Sequence, residues 1–334
     1  MLEPPDLPEA VIAEAIAASY NIDTAAIQFL PIGRDAEAWL YKVTATDGTE
    51  LFLKARKSIL NPASLTVPRY LSDQGMTEIV PPTPAVNGAF SVDIPGFVLI
   101  LYPFIPDAMA AGDRPTSRQH WVRYGSVMRR IHSMPIPASL AAEMRHEAFA
   151  SPWIPRLLRV DGVSSVNASD PLEKEWCLLW TDLRSRIMAL VERSRDLGGQ
   201  LSGKSFPHVI CHADIHMRNV LIDDGDGLWF VDWDDVMIAP KECDLFFGIG
   251  GLGPEHVNPE REQWFREGYG ETVVDEQALT YYRCERAISD LAANGETFFF
   301  DTEAGEITRR DALEGLRSLF EPGWIVDLAE EPVE

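Results

Sequence analysis

The sequence predicts an α+β protein of two lobes: a small antiparallel β-sheet lobe over residues 1–103 and a larger helical lobe over residues 104–334. Short apolar and aromatic runs separated by turn signals dominate the first hundred residues. Long segments with helical periodicity dominate the remainder. The chain has 334 residues, which is enough for two lobes with a substantial shared core.

The first lobe is expected to hold a five-stranded, mostly antiparallel sheet with one inserted helix. A helix over 7–19 comes first, because its apolar residues share one face. Asp47-Gly48 is a strong hairpin signal between two strand-like runs, and Asn87-Gly88 and Pro95-Gly96 mark further turns. The inserted helix is expected at 61–75. The clearest strand-like runs are 26–32, 37–45, 50–55 and 97–102.

The second lobe is expected to be mainly helical. Ser117 and the pair Asp170-Pro171 are typical starts of helices, and Asn294-Gly295 is a typical end. Between the helices, residues 208–234 are strand-like and are interrupted by a turn at 223–227. The helices are predicted over 117–133, 171–195, 275–293 and 306–320.

The charge of the chain narrows the class of partner. Lys and Arg total 29 and Asp and Glu total 52, which gives a formal net charge of −23. Such a surface repels phosphate backbones, so we expect no nucleic-acid partner and no anionic membrane. We expect a cationic small molecule instead, although acidity also raises solubility without any specific partner.

Cellular location is expected to be cytoplasmic. The acidic segment at 1–10 lacks the basic-then-apolar order of a signal peptide, and the longest apolar run, 97–105, is too short to span a bilayer. The four cysteines lack the spacing of a disulfide framework, as expected of reduced thiols. Nothing in the sequence demands more than a monomer.

Residues suited to phosphoryl transfer are concentrated between His212 and Asp232. A short apolar strand leads into His212 and Asp214, Asn219 follows five residues later, and a strand-turn-strand returns Asp232 to the same place. A carboxylate such as Asp214 can accept the proton of an attacking hydroxyl. Asn219 and Asp232 offer the hard oxygen ligands that Mg²⁺ prefers. Phosphoryl transfer needs little beyond this set.

The chain resembles the aminoglycoside phosphotransferases, a family with a protein-kinase-like fold, over most of its length. The resemblance is densest in CHADIHMRNVLI, VDWDDVMIAPKECDLFFG, EGYGE and YYRCER, a combination most similar to spectinomycin phosphotransferases. It implies that Asp214 is the catalytic aspartate and that Asn219 and Asp232 hold Mg²⁺. His212 would be a scaffold for the loop, and Asp244 would support it in the same way. The co-substrate would be ATP or GTP, and the acceptor a hydroxyl of an aminoglycoside or aminocyclitol.

The small lobe supplies candidates for nucleotide binding. Lys54 lies in the alternating strand LFLKA, from which an inward-facing lysine can reach phosphates. In kinases this lysine pairs with a helix glutamate, but no glutamate occurs between Glu50 and Glu78. Either Asp73 or a water molecule takes its place, or Lys54 is positioned differently. The phosphate-covering turn is expected at 32–37, around Gly33. This turn has only one glycine, and Gly33 is equally compatible with an ordinary hairpin turn. By resemblance, the hinge that binds the purine edge spans 101–105 and includes Leu101, Phe104 and Ile105.

Acidic residues near the centre are candidates for the acceptor site. Asp234 follows Asp232 closely, and the predicted helix 275–293 carries Glu285 and Asp290. Carboxylates of this kind hold protonated amines through charge-assisted hydrogen bonds. Taken singly, an acid at such a position is more often a surface charge than a ligand for a substrate.

Several other functions share part of this pattern. A housekeeping kinase of choline, homoserine or a sugar would use the same Asp-Asn-Asp centre. A protein kinase fits less well, because Ile215-His216 follows Asp214 where those enzymes place a lysine. A nucleotide-binding pseudokinase would explain the missing glutamate and the poor glycine loop. A zinc hydrolase would use His208, Cys211, His212 and His216, although the segment is strand-like rather than helical.

Overall fold

The structure is a computed structural model that describes residues 2–32, 38–58, 61–164, 170–253 and 257–332. A five-stranded sheet forms the small lobe, in the order β1-β2-β3-β5-β4 with every neighbouring pair antiparallel. The helix α1 (Glu9–Tyr20) precedes it and α2 (Ala63–Asp73) is inserted in it, as predicted. The five strands are β1 (Thr24–Leu30), β2 (Ala38–Ala45), β3 (Glu50–Arg56), β4 (Val92–Ile94) and β5 (Phe97–Pro103).

Residues 208–240, called the catalytic segment below, are held by six short strands in two small sheets. One sheet has the order β10-β9-β6 and the other the order β7-β11-β8. The hairpin of β9 and β10 and the pair of β8 and β11 flank the predicted centre on either side. The strands are β6 (Met109–Ala110), β7 (Arg145–His146), β8 (His208–Cys211), β9 (Val220–Ile222), β10 (Leu228–Phe230) and β11 (Met237–Pro240).

Helices make up most of the large lobe. The four predicted helices are confirmed as α3, α6, α9 and α10, and shorter helices that the sequence pattern did not indicate fill the spaces between them. The helices of this lobe are α3 (Arg118–His132), α4 (Ala138–Ala141), α5 (Trp153–Ser164), α6 (Pro171–Leu201), α7 (Glu242–Gly248), α8 (Pro259–Tyr269), α9 (Glu276–Phe299), α10 (Glu306–Ser318) and α11 (Ile325–Glu330).

The predicted caps explain where the long helices begin. The side chains of Ser117, Asp170 and Asp275 each accept a hydrogen bond from the backbone N–H three residues on. The predicted end of α9 is wrong, because the helix continues past Asn294-Gly295 to Phe299. A Cβ on Gly295 would lie 2.3 Å from the Val160 side chain, so this glycine allows α9 to approach α5 closely.

Two apolar cores hold the molecule together. One lies under the five-stranded sheet and the other fills the helical lobe. The inserted helix α2 contributes Val67 and Leu71 to the larger core, and Ile79 after it pairs with Phe230. The strand β5 ends at Pro103, and α2 packs on the larger core although it is inserted in the sheet of the small lobe. That packing fixes the small lobe against the catalytic segment.

Among the described residues, no helix is both long enough and apolar enough to cross a bilayer.

Candidate active site

The loop that follows β8 is held by one buried carboxylate, that of Asp244. Asp244 on α7 accepts hydrogen bonds from the backbone N–H groups of His212 (2.9 Å) and Ala213 (2.7 Å). Ala213 has φ 67°, a left-handed conformation that a non-glycine residue adopts at an energetic cost. The paired N–H groups on Asp244 fix this conformation, which supports the scaffold role predicted for Asp244.

Asp244 is itself held by two residues that the sequence did not single out. His132, the last residue of α3, contacts Asp244 Oδ2 through Nε2 at 3.0 Å. The Nδ1 atom of His132 lies 2.8 Å from the Tyr269 hydroxyl on α8. All three side chains are buried. A lone histidine at a helix end carries no spacing signal, so this network could be recognised only from the packing of α3, α7 and α8.

The His212 ring connects the two arms of the catalytic segment. Its Nδ1 accepts a hydrogen bond from the Asp214 backbone N–H (3.3 Å), and this leaves the proton on Nε2, which donates to the Val231 carbonyl oxygen (3.0 Å). Val231 directly precedes Asp232. The ring therefore fixes Asp214 relative to Asp232, as a scaffold histidine would.

Asp214 lies at the centre of the site. Its Oδ2 accepts a hydrogen bond from Asn219 Nδ2 (3.1 Å), and the same amide also donates to the Asp214 carbonyl oxygen (2.8 Å). Its Oδ1 is ion-paired with Arg286 Nη1 on α9. Burial raises the pKa of the Asp214 carboxyl above its ordinary value, and the positive charge of Arg286 opposes this rise. A carboxylate in this position can orient a hydroxyl and accept its proton.

His216 stands beside Asp214, with Nε2 3.6 Å from Asp214 Oδ2. Burial, reinforced by Arg286, lowers the pKa of His216 to about 3, so the ring is neutral near pH 7. His216 therefore adds a polar group beside Asp214 but no charge.

Asn219 and Asp232 offer the oxygen atoms expected of Mg²⁺ ligands. Because Asn219 Nδ2 is engaged by Asp214, its amide oxygen is the atom left to face a metal. Asp232 has φ 63°, which turns its carboxylate toward Lys54. One amide oxygen and one carboxylate form a hard donor set, which fits Mg²⁺ better than a thiophilic metal.

Lys54 pairs with aspartates of the large lobe rather than with a helix glutamate. Its Nζ lies 2.9 Å from Asp232 Oδ1 and 2.6 Å from Asp234 Oδ2. Arg56, two residues along β3 and on the same face, also contacts Asp234. The prediction that Asp73 substitutes for the glutamate is wrong, because Asp73 pairs with Arg69 one turn away on α2.

The predicted hinge is only partly available to a ligand. Leu101 is buried in the small core, and its carbonyl oxygen accepts the Thr83 N–H at 2.7 Å. The Phe104 N–H donates to the Glu50 carbonyl oxygen at 3.4 Å. Within the described part of the chain, the backbone of Ile105 has no such partner, and both Phe104 and Ile105 are half-buried at the junction of the lobes. The remaining nucleotide candidate, Gly33, lies outside the described residues.

The three acids predicted for the acceptor site lie in different surroundings. Asp234 belongs to the cluster with Lys54 and Arg56. Asp290 contacts Arg286 Nε at 2.9 Å, one turn away on α9, and so lies next to Asp214. Glu285 faces α6, where its carboxyl contacts the Ser194 hydroxyl at 2.7 Å. Burial raises the pKa of Glu285 to about 7.

A buried group with metal-ligand chemistry lies behind the loop and consists of His132, Cys211 and Asp244. Its members already have partners, since His132 binds Asp244 and Cys211 Sγ lies 3.5 Å from the Pro240 carbonyl oxygen. Of the residues considered for zinc, only Cys211 belongs to it. Within the described residues, the zinc candidates His208, Cys211, His212 and His216 do not gather into a ligand cluster.

Comparison with known proteins places this geometry in a known class of enzymes. The model of the phosphotransferase enzyme family (APH) matches residues 28–279. A crystal structure of the spectinomycin phosphotransferase APH(9)-Ia in complex with ADP and spectinomycin is 28% identical, with a TM-score of 0.85, and the match covers 98% of each chain. An AMP-bound complex of the same enzyme is 27% identical, with a TM-score of 0.81, covering 99% of this chain and 100% of that one.

Less similar proteins also match the chain. The curated protein StrN of Streptomyces griseus is 22% identical over 226 residues, which cover 65% of this chain and 67% of StrN. The choline kinase LicA of Streptococcus pneumoniae is 16% identical, with a TM-score of 0.57, covering 93% of this chain and 99% of that one. Because the family model spans well over half of the sequence, the chain belongs to the APH phosphotransferase family and is a kinase with a protein-kinase-like fold.

Proposed function

We propose that this kinase transfers the γ-phosphate of ATP or GTP, with Mg²⁺, to a hydroxyl of a cationic aminocyclitol or aminoglycoside, for example spectinomycin. An enzyme with this activity would confer resistance to the antibiotic. The observation that carries the proposal is the convergence of Asp214, Asn219, Asp232 and Lys54 at the junction of the lobes. These groups come from both lobes and match the requirements of phosphoryl transfer.

Each residue has a distinct part in the proposed reaction. Lys54, held between Asp232 and Asp234, places a positive charge where phosphates would bind. Asn219 and Asp232 would hold Mg²⁺, which neutralises phosphate charge when bound. Asp214 orients the acceptor hydroxyl and accepts its proton as the oxygen bonds to the γ-phosphorus and the bond from phosphorus to the leaving nucleoside diphosphate breaks.

The acceptor is assigned to the opposite side of Asp214. An in-line transfer places the acceptor away from the nucleotide and its metals, and here that is the side of α9. Asp290 lies on this side. Asp235 is close as well: burial raises the pKa of its carboxyl, and the negative charge of Asp214 adds to the rise. Carboxylates in such a place suit protonated amines. The likeness to a spectinomycin phosphotransferase over nearly the whole chain supports the same class of acceptor.

A turnover screen tests the proposal. Purified protein is incubated with Mg²⁺ and ATP or GTP, and phosphoester formation is followed for spectinomycin, several aminoglycosides, choline and homoserine. We expect transfer to at least one aminocyclitol or aminoglycoside. Transfer to choline or homoserine with none to any antibiotic would replace the proposal by a housekeeping kinase; the structural neighbour LicA is a choline kinase. Nucleotide binding without transfer to any acceptor would indicate a pseudokinase.

A further inference from the structure

Arg286 occupies the acceptor side of the site. It lies on α9 and contacts two carboxylates at once, Asp214 through Nη1 and Asp290 through Nε at 2.9 Å. Only 18% of its side chain is exposed. Its guanidinium places a positive charge between the proposed base, Asp214, and the neighbouring acid, Asp290.

Both oxygens of Asp214 are in contact with protein groups. Oδ2 faces Asn219 and His216, on the side of the candidate metal ligands. Oδ1 faces Arg286, on the side where the acceptor is expected. A hydroxyl that approaches from α9 must therefore share Oδ1 with Arg286 or displace it.

We propose that Arg286 is a specificity-determining residue that withholds Asp214 from water and releases it to a cationic acceptor. The inference rests on the proposed function, because it assumes that Asp214 is the base. Asp290 offers the guanidinium a second partner, so Arg286 can leave Asp214 and still remain ion-paired. A protonated amine of the acceptor then replaces the charge that Arg286 provided, whereas water or a neutral alcohol cannot.

As a consequence, the rate of nucleotide hydrolysis depends on whether a cationic acceptor is bound. In hydrolysis the oxygen of water attacks the γ-phosphorus, the bond to the leaving nucleoside diphosphate breaks, and the proton of water passes to Asp214. With Arg286 on Oδ1, this reaction is suppressed until an acceptor binds. The guanidinium thus acts as a substitute for the acceptor cation in the empty site.

The test compares Arg286→Gln and Arg286→Lys with the parent protein. Acceptor-independent release of phosphate from Mg²⁺-ATP and transfer to spectinomycin are measured in the same preparations. We expect Arg286→Gln to raise the ratio of hydrolysis to transfer by about tenfold or more, which corresponds to the loss of one charge-assisted hydrogen bond. Arg286→Lys keeps the charge and is expected to keep the ratio low.

Asp290→Asn and the double variant Arg286→Gln/Asp290→Asn complete the test. Asp290→Asn leaves Arg286 with Asp214 alone, so the KM for the cationic acceptor should rise while hydrolysis stays low. The double variant avoids a buried unpaired carboxylate at position 290 and serves if Arg286→Gln does not fold. A parallel loss of hydrolysis and transfer in the folded variants, with an unchanged ratio, would overturn the inference. If the parent transfers phosphate to no acceptor, the proposed function fails. The rate of hydrolysis in Arg286→Gln then still shows whether Arg286 withholds Asp214 from water: a rise supports this part of the inference, and no change overturns it.

Discussion

The ammonium group of Lys54 lies 2.6 Å from the Asp234 carboxylate and 2.9 Å from the Asp232 carboxylate. Lys54 belongs to the small lobe and both aspartates follow β10 in the large lobe, so these ion pairs connect the lobes across the cleft. They also replace the missing helix glutamate. The lysine is therefore positioned by aspartates of the large lobe rather than by a residue of α2.

Asp234→Asn should weaken nucleotide binding more than acceptor binding. The substitution removes a charge that Lys54 and Arg56 share, and the lysine then loses its position near the phosphates. We expect the nucleotide KM to rise about tenfold, as for the loss of a charge-assisted contact, with little change in the acceptor KM. Asp93→Asn on the exposed face of β4 serves as the control. If only the acceptor KM rises, this prediction is wrong and Asp234 belongs to the acceptor site, as the sequence indicated.

Asp244→Asn should damage both stability and turnover. The amide cannot accept from both backbone N–H groups as the carboxylate does, and it removes the charged partner of buried His132. We expect the free energy of unfolding to fall in denaturant titrations by about 1.5–3 kcal/mol or more, because at least one hydrogen bond to a charged group is lost. Asp226→Asn is the matched control, because Asp226 also contacts a histidine but is mostly exposed, and should cost less than about 1 kcal/mol. Equal losses for the two variants would contradict the role given to Asp244.

Gly125→Ala tests the close packing of α3 on α8. Alanine favours an isolated helix by about 1 kcal/mol, but here its Cβ would lie 2.2 Å from the Phe265 carbonyl oxygen. We expect a net destabilisation of about 1–3 kcal/mol by thermal or denaturant unfolding. Gly199→Ala in α6, where a Cβ would meet open space, should instead be neutral or stabilising. A gain of stability in both variants would mean that α3 and α8 do not pack closely at Gly125.

Glu285 should make stability depend on pH. Burial raises its pKa from 4.5 to about 7, with Glu147 adding to the rise, so the folded protein holds a proton that the unfolded chain has released. The unfolded state then binds fewer protons between these values, and the stability due to this group falls as pH rises through that range. Relative to the parent, Glu285→Gln should become progressively more stable from about pH 5 to pH 8. Melting temperatures measured across this range check it, with exposed Glu192→Gln as the control, and a constant difference would contradict it.

Much of the fold was predictable because it depends on local signals. The Asp47-Gly48 hairpin, the cap at Ser117 and the start at Asp170-Pro171 each fix an element through interactions within a few residues. The end of α9 was not predictable in this way. Gly295 carries a helix-ending signal, but its packing against Val160 of another helix overrides it.

The centre of the site was predictable for the same reason, since Asp214, Asn219 and Asp232 lie on one strand-loop-hairpin unit. Its surroundings were not, because they come from distant parts of the chain. Arg286 reaches Asp214 across 72 positions, and His132 reaches Asp244 across 112. The position of Arg56 does carry a sequence signal, because it is two residues from Lys54 in the same strand and therefore lies on the same face. Likewise, Arg286 and Asp290 are four apart on α9 and therefore adjacent, whereas Glu285 points to α6.

The most direct test of the account is the effect of Asp214→Asn on the two halves of the reaction. Phosphoester formation from Mg²⁺-nucleotide and the best acceptor is measured together with nucleotide affinity, and Asp224→Asn in the exposed turn is the control. If Asp214 is the base, kcat should fall by about 10²- to 10⁴-fold in this variant. Nucleotide affinity should be essentially unchanged. Near-full phosphate transfer by Asp214→Asn would contradict the account.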